Sequence, residues 1–153
     1  MEFNASPLDD LTCSDGLRYH GMYNSHPMDT NNLLSLTGRI FLAMIFLASA
    51  FGKITNFDGT TRYMAAGGMA GTTFFCVAAI TVEILGGVAL VLGFYAKAGA
   101  AGLLLYMVPV TLIFHLEPEQ RIQLLKNIAI MGGLLQVLAF GPGRISLDHK
   151  PGK

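Results

Sequence analysis

Hydrophobic and polar positions are segregated on a coarse scale along this chain. The first 32 residues are polar, and from Leu33 to Phe140 nearly every position is apolar or small. An α-helix needs about 20 mostly apolar residues to cross the hydrocarbon layer of a bilayer. Four runs meet that length: Leu33 to Gly52, Thr72 to Leu92, Ala96 to Leu116 and Ile122 to Phe140. Between the first two lies a polar connection, Lys53 to Gly71, where Asn56, Asp58, Gly59 and the Gly67-Gly68 pair predict turns. Only Gly93, Phe94 and Tyr95 separate the second and third runs, a link so short that these helices must be antiparallel neighbours. Glu117 to Arg121 closes the third run, and Gly141-Pro142-Gly143 stops the fourth. The pattern predicts an all-α fold, a four-helix transmembrane bundle over residues 33–148, with a polar tail over 1–32 and a short C-terminal tail over 149–153.

Composition agrees. Apolar residues make up 52% of the 153-residue chain and charged ones 13%, about half the share in an average soluble domain. Residues 1–32 hold five acids against one Arg and no apolar core segment, so they read as a solvated, disordered tail and not a secretory signal. Met28 opens a segment, Met-Asp-Thr-Asn-Asn, that would itself serve as an N-terminus before the first span, so the tail reads as a dispensable extension. Net charge is zero and no basic stripe interleaves with aromatics, which argues against a nucleic-acid partner. Cys13 and Cys76 form neither a dithiol motif nor a metal-ligand spacing. An even number of spans puts both ends on one side with Arg18, Lys97, Arg144, Lys150, Lys153 and Arg39. Lys53, Arg62, Arg121 and Lys126 lie opposite, a small margin that assigns the termini to the cytoplasm.

Ionised side chains inside a span cost about 2.5–3.5 kcal/mol on insertion scales, so each needs a reason. Glu83 lies near the middle of the second run, and Arg39 lies six residues, or about 9 Å, into the first. Arg39, Ala43, Phe46, Ala50 and Lys53 share one helical face, as do Cys76, Ala79, Glu83, Gly86 and Leu90. An ion pair between Arg39 and Glu83 is the expected outcome, either as architecture or as chemistry. Lys53, His115, Lys126 and Asn127 fall at one level of the membrane, a cationic mouth that could hold an anion or hydrogen-bond the carbonyls of a quinone. The bland alternative is that the lysines snorkel to head groups. Pro109 predicts a kink in the third span, Gln136 an interhelical hydrogen bond, and the pairs Ala89/Gly93, Ala98/Gly102 and Ala129/Gly133 close helix contacts.

These residues stand within a wider pattern: Gly38-Arg39-Ile40, Phe51 to Phe57, Glu83 to Gly87 with Leu92-Gly93-Phe94, Phe114-His115, Leu125-Lys126-Asn127, Met131 to Leu134, and Gly141 to Asp148. In that order they resemble the DoxX family of small bacterial inner-membrane proteins, over about residues 33 to 148. The resemblance implies a four-helix membrane bundle and association with membrane oxidoreductase complexes, and it transfers no established catalytic residue.

Three functions compete. In the first the chain is a membrane subunit of a quinone-linked oxidoreductase, with Glu83 and His115 relaying protons and Arg39, Lys53, Lys126 and Asn127 binding substrate. Quinone would be the cofactor, no metal is expected, and partner subunits or further copies of the chain join it in the bilayer. In the second it is a non-enzymatic anchor or assembly module. In the third it carries a small anion or weak acid, although no internal repeat of the transporter kind is evident.

Overall fold

The computed structural model describes residues 30–114 and 120–148. It is helical throughout its regular elements: α1 Thr30–Thr55, α2 Phe57–Ala66, α3 Thr72–Leu92, α4 Ala96–Phe114 and α5 Arg121–Phe140. Four of these, α1, α3, α4 and α5, are long and apolar enough to cross a membrane. At 1.5 Å per residue they extend about 28–39 Å, enough for the roughly 30 Å hydrocarbon layer. Large apolar side chains such as Phe41, Phe74, Leu105 and Phe140 are exposed along them, an arrangement that suits lipid and would be a liability in water. The expected tail falls outside the described residues except for its last three positions, which already belong to α1.

The expected spans and the expected buried faces are both present. Arg39, Ala43, Phe46 and Ala50 are the buried residues of α1, while Cys76, Ala79, Glu83, Gly86, Gly87 and Leu90 are those of α3. The tightest seam is α1 against α3, followed by α4 against α5 and α3 against α4; the seam between α1 and α5 is the loosest of the four. Small residues bring helices together, and Ala89 and Gly133 of the expected pairs are among them. A methyl group on Gly86 would strike Leu103, one on Gly99 would strike Ala89, and one on Gly133 would strike Leu42. Ala98 and Gly102 face outward, because their face of α4 is turned to lipid.

The connection expected as a polar turn region contains a further helix, α2. Asn56 caps it, its side chain accepting a hydrogen bond from Gly59 N–H at 3.2 Å. Met64 is buried beneath it, and Tyr63 stacks on Phe114 of α4 with ring centroids 5.3 Å apart. The helix therefore roofs one end of the bundle. Its polar residues misled the periodicity reading because only one narrow stripe meets the core.

At the opposite end, the segment after α5 folds back onto the α3–α4 turn. Leu147 N–H and Asp148 N–H donate to the carbonyls of Leu92 and Gly93 at 3.2 and 2.9 Å. The Asp148 carboxylate accepts from the backbone N–H groups of Tyr95 and Ala96 at 2.9 and 3.0 Å. An acid at a helix N-terminus satisfies donors that have no intrahelical partner and complements the dipole; here that acid comes from about 50 residues away.

Candidate functional site

The buried carboxylate of Glu83 organises the centre of the bundle. It does not meet Arg39. Lys53 Nζ donates to Glu83 Oε1 at 2.8 Å and Oε2 at 2.9 Å, and also to Ser49 Oγ at 2.6 Å. Ser49 Oγ and Tyr106 OH each donate to Glu83 Oε1, at 3.1 and 3.0 Å. Glu83 is 3% exposed and the Lys53 side chain 16%. The ammonium thus descends from the end of α1 into the bundle instead of snorkelling outward.

The expected Arg39–Glu83 pair fails for a reason of register. α3 runs antiparallel to α1, so Arg39 is level with Leu90, seven residues and about 10 Å along α3 from Glu83. Arg39 Nη1 donates to Leu90 O at 3.1 Å, and Nη2 donates to Ile145 O. The guanidinium therefore ties α1 to the C-terminal end of α3, where the helix dipole is negative, and to the returning C-terminal segment. Gly93, at φ 63°, leaves room for it: a Cβ there would collide with Arg39 Nη1 and Ser146.

A cavity of about 280 Å³ lies against the Glu83 network. Lys53, Glu83 and Tyr106 form one wall, Lys126 and Asn127 of α5 another, and Thr60, Tyr63 and Met64 of α2 cover it. Of the six residues expected at the site, Glu83, Lys53, Lys126 and Asn127 border this space. Arg39 does not; it lies at the other end of the bundle. His115 lies outside the described residues. Asn127 is buried and its Nδ2 donates to Thr111 Oγ1 at 3.0 Å, joining α5 to α4. Thr111 passes its own hydrogen to Met107 O at 2.7 Å, one turn before it in α4. Lys126 has no partner among the described residues.

Ser49 and Tyr106 were not anticipated. Tyr106 carried a signal, because Tyr favours the ends of spans and this one is mid-span, where its hydroxyl needs a partner. Ser49 sits four residues before Lys53 on the same helix, a spacing that puts hydroxyl and ammonium side by side.

The DoxX family model matches residues 34–116. Inner membrane protein YqjF of Escherichia coli (strain K12) is 33% identical over 117 residues, covering 74% of this chain and 88% of that protein. Inner membrane protein YphA of the same organism is 31% identical over 143 residues, covering 88% and 98% respectively. No solved structure matches. With four spans in place and these relatives aligned across most of its length, the chain belongs to the DoxX family of multi-pass inner-membrane proteins.

Proposed function

We propose that the cavity beside Glu83 binds a quinone ring and that the chain is the membrane subunit of a quinone-linked oxidoreductase. The observation that carries this reading is a membrane-buried carboxylate, hydrogen-bonded to Lys53, Ser49 and Tyr106, on the wall of a cavity that also presents Lys126, which has no partner among the described residues. Ionisable residues at membrane depth mark substrate or proton pathways more often than not. Reduction of a quinone takes two electrons, supplied by a partner subunit, and two protons. Lys126 and Asn127 would orient the ring carbonyls. The Tyr106 hydroxyl would give one proton to one reduced oxygen and recover it from Lys53 through Glu83, and the Lys126 ammonium would give the second proton to the other oxygen, both lysines being re-protonated from solvent.

The test is titration of the purified chain in mild detergent with a short-tailed benzoquinone analogue, followed by thermal unfolding. Binding weakened about tenfold in Lys126→Met, the size expected for one hydrogen bond to a charged group, supports the reading; absence of any quinone-dependent shift overturns it.

One observation favours a second reading, that of a non-enzymatic anchor or assembly module. All three Lys53 N–H donors are engaged internally and the pair is self-neutralising. Under that reading Lys53→Met with Glu83→Leu preserves recovery of partner proteins from the membrane.

A further inference from the structure

We propose that the groove between α1 and α5, at the end of the bundle opposite Glu83, holds the phosphate headgroup of an anionic phospholipid. This groove encloses about 360 Å³ and is lined by Ser35, Arg39, Gln136 and Phe140, among others. It is separate from the quinone cavity and does not depend on that assignment.

The charge here is compensated only at a distance, by Asp148 acting through space. Arg39 is 2% exposed, yet its guanidinium meets two carbonyls and no carboxylate within ion-pair distance among the described residues. Its buried Nε–H has no hydrogen-bond partner. The carbonyl end of α3 offsets part of the charge through its dipole, worth at most about 2 kcal/mol, but no counter-charge touches the guanidinium among the described residues. Asp148, the one described carboxylate at this end, commits both oxygens to the start of α4. Lys97, whose Cε lies 3.2 Å from the place of a Cβ on Gly141, adds a second cation at the rim, and Arg144 follows in the next segment.

Gln136 supplies the independent observation. It sits inside the α5 span, exposed on the groove side, and has no hydrogen-bond partner among the described residues, against the interhelical bond expected of it. An amide facing hydrocarbon without a partner is costly, and a phosphate oxygen accepting its N–H relieves that cost. The flanks of the groove identify the source of the phosphate. Leu34 is 64% exposed and Phe140 82%, so the space opens to acyl chains, as basic pockets between spans do when they take lipid headgroups. α1 and α5 make the loosest seam between neighbouring spans, which leaves room for a chain to lie along it.

The experiment uses the full chain in phosphatidylcholine micelles, to which phosphatidylglycerol, more phosphatidylcholine or inorganic phosphate is added. The readouts are the thermal midpoint and the number of lipids retained in native mass spectrometry. Phosphatidylglycerol at about ten times its dissociation constant should raise the midpoint by about 3 °C over phosphatidylcholine. Gln136→Leu, which breaks no internal bond and so should fold, should weaken phosphatidylglycerol binding about tenfold. Gln136→Glu should abolish the preference for the anionic lipid by placing a like charge in the groove. Equal effects of the two lipids overturn the proposal, as does unchanged binding in Gln136→Leu. An equal shift from inorganic phosphate would assign the groove to a free anion, and a dimer trapped by Gln136→Cys to a second copy; either result also overturns it.

Discussion

Removing Lys53 alone should destabilise the bundle far more than removing Lys53 and Glu83 together. In Lys53→Met the apolar stem is kept and the ammonium is lost, so the Glu83 carboxylate, 3% exposed, retains only the hydroxyls of Ser49 and Tyr106. Breaking a buried ion pair from one side costs about 3–5 kcal/mol, because the remaining charge is stranded. The 16% exposure of Lys53 gives some access to water, which favours the lower end, about 3 kcal/mol. For a chain of this size that corresponds to a fall of about 6–12 °C in thermal midpoint. In Lys53→Met with Glu83→Leu no charge remains to be stranded, and the loss should be within about 1 kcal/mol of wild type. The assay is thermal unfolding of purified variants in one detergent, followed by circular dichroism, since the chain has no Trp to report by fluorescence. A single variant as stable as the wild type, or a double variant no better than the single, would refute the reasoning.

Two more outcomes follow from the far end of the bundle. Asp148→Ala removes the acceptor for the Tyr95 and Ala96 N–H groups and should cost about 0.5–2 kcal/mol, the usual worth of an N-terminal cap, with faster hydrogen exchange at those two amides as its local signature. Gly93→Ala combines left-handed backbone strain with a collision against Arg39 and Ser146; a loss of about 2–5 kcal/mol is expected. The segment 145–148 should come off the bundle first, and limited proteolysis that cuts there no faster than in wild type would contradict the tie made by Arg39.

The site was legible in its chemistry and illegible in its pairings. Glu83 and Arg39 stand out because a charge in an apolar run is costly wherever the neighbours are, and the shared face of Lys53 with Phe46 and Ala50 follows from helical spacing alone. Which cation reaches Glu83 depends on how far α1 and α3 slide past each other, and a slide of two turns exchanges Arg39 for Lys53. Asp148 and Ile145 show the same limit more sharply. Their partners at Ala96 and Arg39 lie about 50 and 100 residues away, and no local pattern announces a carboxylate that caps a distant helix. α2 was obscured for another reason, since ten residues with one buried side chain leave too weak a period to distinguish from a turn.

The sequence by itself determined that this chain lives in a membrane, how many times it crosses and which faces of α1 and α3 turn inward, because burial of apolar length and helical periodicity are properties of single segments. Only the tertiary structure decided that Lys53, Ser49 and Tyr106 converge on Glu83 beside a cavity roofed by α2, and that Arg39 is instead a clasp at the opposite end. Those outcomes depend on interhelical register, which is set by how particular small and large side chains, such as Gly86 against Leu103 and Gly133 against Leu42, fit across the helix contacts.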